Sequence, residues 1–159
     1  MRVARSLAIG LTLIIATSGC TTSEPSLKEA TAELQKDTRL LETDDVFKNP
    51  LKKLHIIQRP DKDIPCDKDG FRRVLRATAD YERGNGEALD SHLDGAERLI
   101  ENTLSKTLGY DIEYDPSQVD APEGRFVQGS KKLGVTVNVY VSPEAPTWRL
   151  HAQTACLKY

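Results

Sequence analysis

This 159-residue chain has no long apolar run. Its most apolar stretch, Leu7 to Ala16, covers about ten residues, whereas a membrane-spanning helix needs about 20. No transmembrane segment is expected. Cysteine is scarce, with three residues and no C-x-x-C pair, which argues against a thiol-redox motif or a zinc knuckle. Basic charge is not in excess either. The 22 Lys and Arg face 24 Asp and Glu, a formal charge of −2. A nonspecific nucleic-acid binder needs a basic surface, so no nucleic-acid partner is expected. There is also no polybasic patch to hold anionic headgroups. G-x-S-x-G, H-E-x-x-H, P-loop and G-x-G-x-x-G motifs are absent, as are internal repeats and low-complexity tracts.

The first twenty residues are organised. Arg2 and Arg5 precede the apolar stretch, and small residues Thr17, Ser18 and Gly19 lead to Cys20. This is the layout of a secretory signal peptide. The Ser-Gly-Cys ending resembles the lipobox of bacterial lipoproteins, with Thr17 where that motif usually has leucine. The resemblance implies cleavage before Cys20, diacylation of its thiol, and a site of action on the extracytoplasmic face of the cell membrane. An ordinary secretory signal is the alternative. Two acyl chains suffice for stable anchoring. Residues 1–19 are then a signal peptide and residues 20–26 a lipid-anchored tether. Loss of Arg2 and Arg5 takes 22 basic residues to 20 against 24 acidic ones, a charge of −4.

With Cys20 assigned to lipid, Cys66 and Cys156 are an even pair in an exported chain, 90 positions apart. They read as one disulfide. Neither has a histidine at metal-ligand spacing. The pairing predicts that the start of the folded domain lies beside its last strand.

Residues 27–49 form the next segment. Ser26 and Glu29 make a capping box, and Leu27, Ala30, Leu34 and Leu41 recur at helical spacing, so an amphipathic helix is predicted over residues 27–47. Asp37 interrupts its stripe. The expected role is docking on the domain, with a partner-binding stalk as the alternative.

Residues 50–159 are expected to be one α+β globular domain: an antiparallel sheet of four or five strands packed on one main helix. Leu54, Ile56 and Ile57 suit a short strand, and Pro65 to Gly70 a turn. FRRVLRATADYE (71–82) satisfies both helical and strand periods. Strand is preferred because the disulfide and the later strands call for a neighbour there. Leu89, Leu93, Ala96, Ile100, Leu104 and Leu108 form one helical stripe, with Ser91 or Asp90 as cap and Gly109 as terminator. Tyr110, Ile112 and Tyr114 alternate with Asp111, Glu113 and Asp115. GRFVQGS and LGVTVNVYVS read as strands, the latter with four valines inward. In TWRLHAQTACL, Trp148, Leu150, Ala152, Thr154 and Cys156 share a face, so Cys156 is expected to point inward.

No catalytic residue is expected. His55, His92 and His151 read as surface or boundary residues. Asp111, Glu113 and Asp115 are hard oxygen donors. Yet Pro116 and Pro122 stand where a calcium loop needs its glycine and its bidentate acid, so no metal or cofactor is expected. Arg72, Arg73 and Arg76 form a basic cluster that could meet an anionic polymer or a phospholipid headgroup. A solvated face paired with Asp67, Asp69 and Asp80 is the preferred reading. Trp148 reads as core rather than as a stacking platform.

Pro65-Cys66, the RRVLRA stretch at 72–77, the helix leading into Gly109-Tyr110 and Thr154-Ala155-Cys156-Leu157 resemble small, uncharacterised envelope lipoproteins of actinobacteria. The resemblance implies the fold and the disulfide, and no activity. The expected role is non-enzymatic: a membrane-anchored protein that binds a protein or an envelope polymer. A lipid-anchored enzyme or a structural subunit of a membrane complex are the alternatives.

Overall fold

The computed structural model describes residues 24–49, 52–114 and 123–159. Cys20 lies outside them, as do Pro50, Asp115, Pro116 and Pro122. Helix α1 (Leu27–Thr43) opens on the expected capping box. The Glu29 N–H donates to Ser26 Oγ at 3.3 Å, and the Ser26 N–H donates to Glu29 Oε2 at 2.9 Å. The single helix predicted to residue 47 is in fact two. Extended backbone at Asp44 ends α1, and its carboxylate accepts the Val46 N–H at 2.8 Å to start α2 (Asp45–Lys48).

The strands are β1 (His55–Gln58), β2 (Ile64–Asp67), β3 (Gly70–Arg72), β4 (Val74–Ala79), β5 (Asp111–Glu113), β6 (Arg125–Lys131), β7 (Val135–Val141) and β8 (Trp148–Thr154). Six form one antiparallel sheet in the order β1-β4-β8-β7-β6-β5. The remaining two, β2 and β3, form a separate ribbon. The expected architecture is therefore right in class and too small in strand count. The ribbon was missed because its strands are only four and three residues long, too short for alternation to show. Residues 71–82, expected as one strand, are extended but divided: Phe71 and Arg72 belong to β3, the break falls at Arg73, and β4 lies between β1 and β8 and ends at Ala79.

One face of the sheet holds the core. Leu75, Ala77 and Ala79 of β4 stand in register with Ala152, Leu150 and Trp148 of β8, and these with Val137, Val139 and Val141 of β7. Helix α3 (Leu89–Asn102) lays Leu93, Ala96 and Ile100 on this face, and α1 adds Ala30, Leu34 and Leu41 to the same cluster. Each buried leucine, isoleucine or valine here contributes about 1.5–3 kcal/mol by leaving water. The sheet is thus covered by two helices, where one main helix was expected. Trp148 is 1% exposed, meets Phe47 edge-on at 5.8 Å and donates its indole N–H to the Ala96 carbonyl at 3.1 Å. It is core, as its alternation predicted.

Three local expectations fail. Neither Asp90 nor Ser91 caps α3: the cap is Ala88, with no side-chain bond, because the helix begins before both residues. After Asn102 the helix widens into a π-helical turn, Thr103–Thr107, and closes at Gly109, whose φ of +76° suits a residue without Cβ. The Tyr110 N–H then bonds back to the Leu104 carbonyl at 2.9 Å. Tyr114 does not follow Tyr110 and Ile112 inward; it is exposed, because β5 ends at Glu113.

The third failure is Cys156. It does form the disulfide with Cys66, Cα to Cα 5.9 Å. However, β8 ends at Thr154, so Cys156 lies past the alternating segment and is exposed. The bond ties the ribbon to the C-terminal segment. Phe71 and Leu157 exchange two backbone hydrogen bonds there, each 2.9 Å, and the Leu27 N–H donates to the Lys158 carbonyl at 3.0 Å. Ribbon, C-terminus and the start of α1 meet at one corner.

Candidate functional site

Both helices sit on one face, so the other carries no helix; it is open at Arg76, Phe126, Thr136, Asn138 and Arg149, while Val74 at its β4 end is buried. Strand alternation decides what it shows. Thr78, Arg149, Tyr140 and Phe126 form one row across β4, β8, β7 and β6. Arg76, His151, Asn138 and Gln128 form the next, and Val74, Gln153, Thr136 and Ser130 a third. Asp111 and Glu113 continue the last two rows at the β5 edge.

The first row is aromatic and cationic. Phe126 is 50% exposed, and its ring lies 4.8 Å from that of Tyr140. The Arg149 guanidinium stands 5.7 Å from the Tyr140 ring centre. The Tyr140 hydroxyl donates to the Glu123 carbonyl, which holds that ring in place. Gly124 makes this close approach possible: a Cβ there would lie 2.6 Å from both the Tyr140 ring and the Val141 carbonyl oxygen.

The basic cluster read from the sequence divides. Arg73 pairs with Asp63 at 2.8 Å, not with Asp67, Asp69 or Asp80. Arg72 only approaches the Gln153 side-chain oxygen, at 3.4 Å. Among the described residues, Arg72, Arg76 and Arg149 have no carboxylate partner. The preferred reading, a solvated face paired with Asp67, Asp69 and Asp80, therefore fails: Arg73 alone is neutralised, by Asp63 and with its side chain largely out of solvent.

His151 lies among these arginines. Its Nε2 is buried without a hydrogen-bond partner. Burial first, then the charges of Arg76 and Arg72, push its imidazole below the ordinary 6.5. Arg76 faces it from β4 and Asn138 from β7, with Arg149 and Gln153 on its own strand. The native state therefore takes up this proton later than the unfolded chain does. Stability should be unaffected above the unfolded pKa and fall as the pH drops through 6.5 toward the depressed value. Urea unfolding at about pH 7.5 and about pH 5.5 should show the fall, and His151→Gln should reduce it. An equal slope in the variant would remove His151 as its source.

The other two histidines do not join it. His55 is exposed on β1. His92, expected near the surface, is 2% exposed and stacked on Tyr81 at 5.2 Å, with Nδ1 3.6 Å from Glu87. His92 and Asp80 border a cleft of about 330 Å³, together with Tyr81, Glu82, Arg83 and Thr147. No serine or cysteine lines it. The Thr147 hydroxyl already donates to the Tyr81 carbonyl and accepts the Tyr81 N–H. A second cleft of about 480 Å³ runs beside β1, lined by Phe47, Lys53, Leu54, His55 and Ile56 and by the Glu42–Arg59 ion pair. Among the described residues, no three His, Cys, Asp or Glu side chains are grouped to hold a metal ion.

Sequence reasoning missed two further charge clusters. Strand β6 carries a cation at each end of its buried face. Arg125 reaches Asp94 at 3.1 Å and Asp90 at 3.6 Å. Lys131 reaches Asp37 at 2.6 Å and Glu33 at 2.9 Å. Both bind a helix to the sheet. The signal was present: Arg125 and Lys131 fall on the same alternation as Val127, and Asp37 on the stripe of α1.

Comparison with protein-family models, with curated proteins and with solved structures gave no match.

Proposed function

We propose that this chain is a lipid-anchored, extracytoplasmic binding domain that acts without catalysis, and that its uncovered sheet face engages a component of the cell envelope. Cys20 is the anchor and residues 20–26 the tether, as in the actinobacterial lipoproteins that the sequence resembles. The observation that carries the reading is the uncovered face itself, with a half-exposed phenylalanine beside arginines that lack acidic partners. The Cys66–Cys156 disulfide supports an oxidising compartment. A subunit role built on the apolar stripe of α1 loses its support, because Ala30, Leu34 and Leu41 are consumed by the core. No helix of the described residues is long and apolar enough to cross a membrane.

Two measurements on the protein made in its own cells test this. Mass spectrometry of the membrane-extracted chain should find an N-terminus at Cys20 carrying acyl chains. An unacylated terminus, or cleavage elsewhere, overturns the anchor. A photo-crosslinker placed at Thr136, exposed on the sheet face near the start of β7, should capture envelope material. One placed at Arg98, exposed on α3, should capture much less. Equal capture at both positions overturns the sheet face as the binding surface.

A further inference from the structure

We infer that the uncovered face recognises an acidic glycan, with sugar rings lying on the Phe126–Tyr140 pair and their acidic groups held by Arg149 and Arg76. This rests on the reading that the sheet face is the binding surface, and it names the ligand class.

Sugar rings present flat C–H faces and hydroxyl-bearing edges. A receptor for them needs aromatic faces for the first and planar donor–acceptor groups for the second. The two are side by side here. The ring centres of Phe126 and Tyr140 are 4.8 Å apart and tilted by 41°. Phe126 has no polar group, and the Tyr140 hydroxyl is already committed to Glu123. The pair therefore meets a ligand through apolar ring surface, most of it from the half-exposed Phe126, rather than through a hydrogen bond. With Arg149 beyond them, the platform spans three strands, about 10 Å at the usual strand spacing, a length comparable with a disaccharide. The next row supplies the edge chemistry. Asn138 and Gln128 are cross-strand partners, and neither side chain makes a hydrogen bond to another described residue. Each amide offers both a donor and an acceptor, the complement of neighbouring sugar hydroxyls.

Charge selects an acidic sugar over a neutral one. Arg76 and Arg149 are exposed and lack carboxylate partners, and a guanidinium binds carboxylate or phosphate through two parallel N–H donors. Other ligands fit less well. A protein hot spot needs a desolvated apolar pocket, while Phe126 is half exposed and its neighbours on the face are Tyr140 and the Gln128–Asn138 amides. A nucleic-acid strand, with a phosphate at every nucleotide, would set some of them against Asp111 and Glu113 at the β5 edge of the same face, whereas a glycan with fewer acidic groups can place them at Arg76 and Arg149. A membrane surface asks for a larger basic cluster than these arginines provide.

The test uses the full acylated chain in detergent. The probes are acidic and neutral polysaccharide fractions released from the envelopes of the producing cells and separated by anion exchange. Saturable calorimetric binding to the acidic fraction is expected. Phe126→Ala, at a half-exposed site, should weaken it about tenfold. Arg76→Gln/Arg149→Gln should abolish the preference for acidic over neutral fraction. Carboxyl reduction of the fraction, or separately removal of its phosphodiesters, should reproduce that loss and say which acid is read. Equal binding of both fractions, indifference to Phe126→Ala, or no saturable binding overturns the inference. If the crosslinker at Thr136 captures envelope material while neither fraction binds, the glycan inference fails and the binding face stands. If the crosslinker also captures nothing, both fail.

Discussion

Replacing Lys131 with methionine should cost about 3–5 kcal/mol of folding free energy, because it strands a buried carboxylate. Asp37 is 1% exposed on the core side of α1. Its carboxylate accepts the Lys131 ammonium at 2.6 Å and the Tyr110 hydroxyl at 2.8 Å. The ammonium also reaches Glu33 at 2.9 Å and stands 4.5 Å over the Tyr110 ring. Even with these partners, burial outweighs the hydrogen bonds and raises the Asp37 carboxyl above its ordinary 3.8. The Lys131 bond acts in the opposite direction on the less buried Glu33, lowering its carboxyl. Without Lys131 only the tyrosine bond remains to Asp37.

The sign of the pH dependence follows. A carboxyl with a raised native pKa holds its proton longer when folded, so acid relieves the penalty on burying it. The loss in Lys131→Met should therefore shrink as the pH falls through the Asp37 titration range. Urea unfolding across pH measures this. Lys131→Met/Asp37→Leu, which removes both charges, should regain most of the stability, since a buried pair often trades evenly for apolar packing. A Lys131→Met variant within about 1 kcal/mol of the parent would show that water reaches Asp37 and that the cluster does not hold α1 in place.

What could be read in the sequence was what is decided locally. The Ser26–Glu29 box joins residues three positions apart. The valines of β7 alternate without a break, all four buried. The stripe of α3 points inward at Leu93, Ala96, Ile100, Leu104 and Leu108, with only Leu89 at its start left exposed. What could not be read depended on partners far along the chain. Asp37 looked like a fault in a stripe because its partner Lys131 lies 94 residues away. Cys156 looked inward because alternation was carried past the end of β8. The uncovered face was hidden for a different reason. Phe126, Asn138 and Arg149 occupy the positions between inward residues, and nothing local says whether a second helix covers them. Only the placement of α1 and α3 on the same side leaves them open.

Opening the Cys66–Cys156 disulfide should cost roughly 4–5 kcal/mol, the loop-closure entropy of a cross-link between residues 90 apart. For a chain of this size that is a fall in Tm on the order of 10 °C. The effect should fall first on the ribbon, which pairs with no strand of the main sheet. Beyond the disulfide, β2 and β3 are tied to the end of the chain by the Phe71–Leu157 bridge, the Arg72–Gln153 hydrogen bond and the Phe71–Tyr159 ring contact, all non-covalent and all at this one corner. The same corner receives the start of α1 through the Leu27–Lys158 hydrogen bond, so loss of the cross-link loosens the helix that carries Asp37. Cys66→Ala/Cys156→Ala, and the parent in reductant, should show the same fall in thermal melts. Gly70 checks the geometry independently. A Cβ there would stand 2.5 Å from Cys156 Sγ, so Gly70→Ala should destabilise the parent more than it destabilises the alanine pair, where that sulfur is gone. Equal costs in the two backgrounds would mean that the disulfide does not press on Gly70. A melt unchanged by reductant that demonstrably frees both thiols would mean that the sheet and its two helices keep the corner closed without it.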